Sequence, residues 1–270
     1  YNNITNITVT SNTIGILISQ ASDWNNITNV TTINNNYGFE IINSGGNIIK
    51  DSKIVGNGQY GMRLDEAGQG NPNWIYNNIF NNTNNIDFLG TVFDNDWNFP
   101  SPATGPNIVG GPDIGGNYWG RPDGTGYSDT CTLSTTLGFC ENAWDVLNEV
   151  TCSGAACSGN TDWLPLTKRC GTDGLFMYGI CWQPGGFEQN CTIVCSNYGL
   201  TCYDPDWSSY VEDCSLHAAF GWTCSQCNLR PDPPDPSQRT DNNWCYYTQP
   251  SNNFECIGWG NSLRRICPCQ

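Results

Sequence analysis

The sequence predicts an all-β fold, a parallel β-helix of about four coils followed by a small disulfide-rich domain. Three observations predict it. The first hundred residues repeat with a period near 23, β-branched residues alternate with polar ones inside each repeat, and all sixteen cysteines of this 270-residue chain fall at or after Cys131. The division that follows places a β-helix and its closing segment in residues 1–167, with a four-cysteine insertion at 131–157. A stapled domain occupies residues 168–270.

The repeat is plainest at its start. Tyr1-Asn2-Asn3-Ile4-Thr5-Asn6-Ile7-Thr8 aligns with Trp24-Asn25-Asn26-Ile27-Thr28-Asn29-Val30-Thr31, and at the same offset Gly15 meets Gly38 and Gly38 meets Gly61. A third unit, beginning Asn47-Ile48-Ile49-Lys50-Asp51, aligns with Asn73-Trp74-Ile75-Tyr76-Asn77 at an offset of 26, the extra residues falling in the turn Ala67–Pro72. Ile14, Ile16 and Ile18 show the two-residue period of a strand, and Asn and Gly punctuate the units as turns. Short strands that recur without intervening helix suit coils stacked at about 4.8 Å. In that stacking Ile4, Ile27, Ile49 and Ile75 form one inward row, and Asn6, Asn29, Asp51 and Asn77 a polar ladder at a corner. A leucine-rich repeat fits the first unit, but the second and third place Thr32 and Ser52 where it needs apolar residues, and leucine is scarce.

The Asn-rich units with Asn36-Tyr37-Gly38-Phe39 and Gln59-Tyr60-Gly61-Met62 resemble the right-handed β-helix repeats of the NosD-like family, also called carbohydrate-binding and sugar-hydrolase domains. Gly115-Gly116-Asn117-Tyr118-Trp119, Pro122 to Asp129 and Thr161 to Leu166 resemble the closing segment of such repeats. The resemblance spans roughly residues 1–167, and the four-cysteine insertion departs from it. It implies a right-handed coil and an extracellular, polysaccharide-associated or cell-surface setting, with many roles possible on one fold.

Composition excludes several partners. Ten Lys and Arg against 25 Asp and Glu, a net charge of −15, argue against nucleic acid. No run of about 20 apolar residues forms a membrane span. The catalytic pattern of a polygalacturonase, including its Gly-His-Gly, does not occur, and a pectate-lyase-like site has only Lys50, Lys53 and Arg63 as cations, beside Asp51, Asp65 and Glu66. No catalytic residue is assigned, and the chain is read as a non-enzyme. No cofactor is expected beyond covalent N-glycans, with structural calcium conceivable at Asp94-Asn95-Asp96 or between Asp123 and Asp129. The glycan acceptors are the six Asn-x-Ser/Thr sites Asn3, Asn6, Asn26, Asn29, Asn81 and Asn190, four of which recur with the coil. An inward-pointing Asn6 or Asn29 would accept no glycan.

An even, dense set of cysteines belongs to an oxidising compartment. Cys131, Cys140, Cys152 and Cys157 lie in the insertion. Cys170, Cys181, Cys191, Cys195, Cys202, Cys214, Cys224, Cys227, Cys245, Cys256, Cys267 and Cys269 lie in the terminal domain. All are assigned to disulfides of undetermined connectivity. The competing reading pairs the Cys224/Cys227 CxxC with Cys267/Cys269 around zinc, against the usual preference for two CxxC units. Residues 231–236 read as a stiff extended loop, and Trp182, Trp207, Trp222, Trp244 and Trp259 as either core or a sugar-stacking surface. His217 beside Cys191 or Cys214 suggests a thiol protease only if those cysteines are unpaired.

Two functions are carried forward. The first is an extracellular structural surface glycoprotein, a subunit of a filament or surface assembly built by head-to-tail coil stacking on copies of itself or on neighbouring surface-protein coils. Its motive is Tyr1, which begins in full repeat register. The alternative is a polysaccharide-binding or polysaccharide-cleaving β-helix, with acidic residues converging on Arg63 or Lys50.

Overall fold

A computed structural model of the chain describes residues 2–134, 138–149, 159–170, 173–177, 180–202, 214–229, 236–239, 241–247 and 263–269. Tyr1, Cys152, Cys157, Cys256, Trp207, Trp259 and residues 231–235 lie outside them. The chain forms two compact units, Tyr1–Thr167 and Lys168–Gln270.

The first unit is a β-solenoid of about four turns with three parallel sheets. One sheet stacks β1 (Asn3–Thr5), β4 (Asn26–Thr28), β7 (Ile48–Lys50) and β10 (Trp74–Tyr76). A second stacks β2 (Thr8–Thr10), β5 (Thr31–Ile33), β8 (Lys53–Val55) and β11 (Ile79–Asn81). The third stacks β3 (Ile14–Ile18), β6 (Tyr37–Ile42), β9 (Tyr60–Asp65) and β12 (Ile86–Leu89). In the three-residue strands only the middle residue points inward, so each inward row is one residue wide. Ile4, Ile27, Ile49 and Ile75 pair in register as one such row. Ile16, Phe39, Met62 and Ile86 form another, from the third sheet. Gly15, Gly38 and Gly61 recur because the coils approach closely there: a Cβ on Gly38 would lie 2.5 Å from the carbonyl oxygen of Gly61.

The corner residues Asn6, Asn29, Asp51 and Asn77 all adopt left-handed backbone angles, φ 56°, 53°, 53° and 53°. Asparagine and aspartate tolerate that conformation better than other residues with a Cβ. Asn29 Nδ2 donates to Asn6 Oδ1 at 2.7 Å and Asn77 Nδ2 to Asp51 Oδ1 at 2.6 Å; the ladder is exposed at Asn6 and Asn29 and buried at Asn77, whose Oδ1 accepts from the N–H of Ile108 at 2.9 Å.

Three further ladders run inside. Asn2, Asn25, Asn47, Asn73 and Asn95 form one, in which each main-chain N–H donates to the Oδ1 of the next asparagine, ending on Asn160, at 2.9–3.2 Å. Asn12, Asn35, Asn57 and Asn82 form a second, ending on Asn85. Ser52, Asn78 and Asn117 form a third, ending on Asp162. At Asn47 and Asn73 the side-chain Nδ2 also donates to the same next Oδ1, and the second Nδ2 proton of Asn73 reaches the carbonyl of Ser44. Such an asparagine uses both donors and accepts twice, which is its whole hydrogen-bonding inventory.

The closing segment seals the far end. Strands β13 (Ala103–Thr104) and β14 (Asp113–Ile114) pair as an antiparallel ribbon, and β15 (Tyr118–Gly120) adds a fifth strand to the second sheet. Trp119 stacks on Phe80 with ring centroids 4.7 Å apart. Short helix α1 (Tyr127–Thr130) follows, with Asp129 accepting from the N–H groups of Gly126 and Arg121. The insertion contributes the Cys131–Cys140 disulfide, and β16 (Trp144–Asp145) pairs antiparallel with β17 (Thr161–Asp162).

The second unit is a six-stranded sheet in the order β18 (Leu175–Met177), β19 (Ile180–Phe187), β23 (Leu263–Cys269), β21 (Ser237–Arg239), β22 (Trp244–Tyr247), β20 (Gln226–Leu229), accompanied by α2 (Cys191–Asn197) and α3 (Ser215–Ala219). Cys191 and Cys195, four apart on one helix face, join Cys267 and Cys269, two apart on one strand face. The two periodicities match, so helix and strand are stapled twice. Cys170–Cys181, Cys214–Cys227 and Cys224–Cys245 complete the described bridges. The CxxC therefore splits between two disulfides and does not form half of a zinc knuckle.

Two outcomes follow from this construction. Asn73→Ala leaves the buried N–H and Nδ2 of Asn47 without their acceptor, and a loss of about 2–5 kcal/mol is expected in urea unfolding. Reduction with excess thiol should abolish hydrogen-exchange protection in residues 168–270 while residues 2–120, which contain no cysteine, keep theirs.

Candidate functional site

The outer faces of the three sheets are separate surfaces, and this decides which polar residues can meet. Lys50 lies on the first, Lys53 on the second and Arg63 on the third. The three cations proposed for a lyase-like site therefore do not converge. Lys50 pairs with Asp51 at 3.3 Å, as adjacent residues can.

Arg63 is placed differently from the sequence expectation, which set it beside Asp65 and Glu66. Its partners are Glu40 and Asp87, which flank it in register on β6 and β12, at 3.6 and 2.7 Å. Neighbours across a sheet stand about 4.8 Å apart, closer than the alternate residues of one strand, so cross-coil partners win. The guanidinium also lies 4.1 Å from the ring centroid of Tyr37, which stacks on Tyr60 at 6.2 Å. Burial works against the charge of Arg63, but the hydrogen bond and charge of Asp87, with Tyr37, outweigh it and raise its pKa above the ordinary guanidinium value. Arg63 is thus a cation bridging three coils.

A second cluster lies on the outer face of the first sheet. Trp74, exposed at the start of β10, meets Tyr76 and Phe99 edge-on, each with centroids 6.4 Å away. Sequence reasoning looked for stacking aromatics only in the cysteine-rich unit and missed this group. The alternation Trp74-Ile75-Tyr76, with isoleucine in the inward row, was the signal available. In the second unit Trp182 is fully buried core, whereas Trp222 is covered by Arg264 at 3.9 Å and Trp244 is exposed.

The sequon asparagines of the first two coils sit outside. Asn3, Asn6 and Asn29 are exposed and Asn26 is half-buried, with Asn3 and Asn26 paired in register. Asn6 and Asn29 therefore do not point inward, and the Nδ2 of Asn29 donates to Asn6 Oδ1. Asn81 is half-buried with its Oδ1 enclosed, and Asn190 caps α2 by accepting from the N–H of Ile193 at 2.9 Å.

Some residues of the acidic stretches considered for calcium have partners within the chain. Asn95 belongs to a buried ladder, Asp123 accepts from Thr125, and Asp129 holds Gly126, Arg121 and the Tyr118 hydroxyl. Among the described residues the one trio of ligating side chains is Cys214, His217 and Cys224. Both sulfurs are in disulfides, and so is Cys191, which leaves His217 no thiol to activate. Burial holds His217 neutral, its pKa lowered to about 4, with Nε2 against the carbonyl of Ser237.

The most perturbed carboxyl is Asp162, which ends the third inner ladder. Its Oδ2 accepts from the N–H of Asn117 at 2.7 Å and from Trp119 Nε1 at 2.9 Å, and its Oδ1 from the N–H of Leu164 at 3.0 Å. Complete burial pushes its pKa up to about 7, against the hydrogen bonds that favour the carboxylate. A Cβ on Gly116 would overlap this carboxyl, so glycine is required there.

Residues 1–124 match the family model described as periplasmic copper-binding protein (NosD). The match takes in the four coils and the start of the closing segment, and it ends before the insertion and the second unit. No curated protein matches the chain. The NosD description raises copper, whose usual ligands are imidazole, thiolate and thioether. The matched segment contains no histidine and no cysteine, and its one methionine, Met62, is fully buried in the third-sheet row. The Cys214, His217 and Cys224 trio lies outside the match with its sulfurs already bonded. These residues do not fit a copper centre. The disulfides do agree with a non-cytoplasmic location.

Asp162 generates a test with a definite sign. The folded chain keeps this proton up to about pH 7, whereas the unfolded carboxyl releases it near pH 4, so its contribution to stability falls as pH rises across that interval. The urea midpoint of the wild type relative to Asp162→Asn should therefore shrink between pH 4.5 and 7.5. A difference that grows with pH would contradict the assignment.

Proposed function

We propose that the chain is a structural surface glycoprotein of an oxidising, extracytoplasmic setting, with the solenoid as a rigid, sugar-coated spacer and no catalytic role. The observation that carries this reading is the register of the acceptor sites. Asn3 lies against Asn26 on one outer face, and Asn6 against Asn29 on the adjoining corner, so four sites gather on one flank. The setting is supported by the paired cysteines and by the periplasmic description of the matching family. Among the described residues no helix is long and apolar enough to cross a membrane.

Assembly is the finer part of the proposal. Strands β1, β2 and β3 are edge strands of their sheets, and an edge strand accepts a further strand. A neighbouring surface-protein coil with the same asparagine spacing would continue the ladders of Asn2 and Asn12 there. At the far end, among the described residues, Asn160, Asn85 and Asp162 already accept the terminal ladder donors. A homopolymer made by head-to-tail stacking would have to displace them, so the partner we propose is a different coil.

The alternative, polysaccharide binding, is favoured by one observation, the exposed Trp74 braced by the half-buried Tyr76 and Phe99 on the outer face of the first sheet. A single preparation separates the two readings. Secreted from an N-glycosylating host, the chain should carry glycans on the Asn3/Asn26 flank, remain silent on glycan arrays and leave polyuronates and neutral polysaccharides uncleaved. A bare flank, or binding or cleavage abolished by Trp74→Ala, would overturn the structural reading.

A further inference from the structure

We infer that Asn26 carries an N-linked glycan whose first sugars lie along the outer face of the first sheet, over Ile48, and end against Trp74. The inference rests on the glycoprotein reading above and adds a specific site and bed to it.

Three features converge on Asn26. Its Oδ1 is held by the hydroxyl of Thr28, the third residue of its own acceptor motif, at 3.1 Å. Among the described residues its Nδ2 makes no hydrogen bond, unlike the amides of Asn25 and Asn29 on either side, which donate to Asn47 and Asn6. Asn26, Ile48 and Trp74 are register partners on successive strands β4, β7 and β10, so they form one straight outward row. Asn26 to Trp74 is two strand spacings, about 10 Å.

Along that row the surface changes character. Asn26 is followed by the half-buried Ile48 and then by Trp74, which is 37% exposed and braced edge-on by Tyr76 and Phe99. An isoleucine and a tryptophan on the outside of a solenoid whose inner rows are complete contribute nothing to the core. The axial C–H faces of a pyranose pack on such a surface while its hydroxyls stay in water. The parallel flank position, Asn3, has Asn26 as its register neighbour and no apolar residue in the next place, so the bed belongs to Asn26 alone.

The modification is a group transfer. Asn26 Nδ2 forms a bond to the anomeric carbon of an oligosaccharide carried on a lipid pyrophosphate. The amide loses one proton, and the bond from that carbon to the pyrophosphate oxygen breaks as the lipid pyrophosphate leaves. The remaining Nδ2 proton stays on the amide.

The test uses the full chain secreted from an N-glycosylating host. Intact-glycopeptide mass spectrometry reads occupancy at Asn26, and thermal melting is compared for wild type, Asn26→Gln, Trp74→Ala and the double variant. Loss of the glycan should lower Tm by about 2–4 °C in the wild-type background and by nothing in the Trp74→Ala background. Thr28→Val, which destroys the acceptor motif but leaves Asn26 and Trp74 in place, should reproduce Asn26→Gln. An occupied Asn26 whose removal shifts Tm equally with and without Trp74 would overturn the bed alone. An unoccupied Asn26 beside glycosylated Asn3, Asn6 or Asn29 would overturn the site. No glycan on any of the four would overturn the glycoprotein reading with it.

Discussion

The structure depends on one repeated interaction: a buried asparagine whose side-chain oxygen accepts the N–H groups of the asparagine in the preceding coil. A parallel β-helix must turn its backbone inward at each corner, where peptide groups would otherwise be buried without partners. Asparagine answers this because it is short and carries two donors and a two-fold acceptor. At the corner between the first and second sheets the series reads Val30, Ser52, Asn78, Asn117 and Asp162, and it becomes more polar toward the closed end. The hydroxyl of Ser52 can accept once from Val30 and donate once to the carbonyl of Lys50, whereas the Asn78 amide one coil later accepts once and donates twice. Each coil thus needs the next one for its polar interior as well as its apolar rows.

That dependence explains the far end. Each ladder ends on a side-chain oxygen that accepts its last N–H: Asn160, Asn85 and Asp162. Asp162 accepts from three N–H donors, and Trp119 both supplies one of these and covers Phe80. The insertion between Cys131 and Cys157 stands just before this terminus. Its Cys131–Cys140 bridge lies among the strands that pack against Leu166, and β16 pairs directly with the strand carrying Asp162. Its position in the closing segment is therefore where a disulfide can brace the acceptor that ends the ladder.

Much of this was legible in the sequence, and the limits have physical causes. The Ile4, Ile27, Ile49 and Ile75 row and the Asn6, Asn29, Asp51 and Asn77 corner emerge from the offsets alone, because a solenoid maps repeat position directly onto space. The inner ladders were not separated from the outer one. Asn2 and Asn6 are equally periodic, and only backbone angle and burial distinguish an outward left-handed corner from an inward amide. Arg63 was assigned to Asp65 and Glu66 because they are near in the chain, whereas the cross-coil distance favours Glu40 and Asp87. The disulfide pattern was out of reach because it requires knowing that Cys191 and Cys195 stand on a helix while Cys267 and Cys269 stand on a strand.

Because the ladders and rows satisfy nearly all of the interior, the buried hydroxyl of Thr32 being an exception, the outer faces are released from structural duty, and their composition becomes informative. One carries paired asparagines and threonines that give way to Ile48, Trp74 and Tyr76, and another the Glu40, Arg63 and Asp87 bridge over stacked tyrosines. The second unit has no such freedom. It has no stacked coils, so its covalent bridges and the buried Trp182 replace what ladders do in the first. Reduction is therefore a large perturbation to one unit and a negligible one to the solenoid rows. The outer face of the first sheet is where added chemistry, a glycan above all, can accumulate at little cost to the fold.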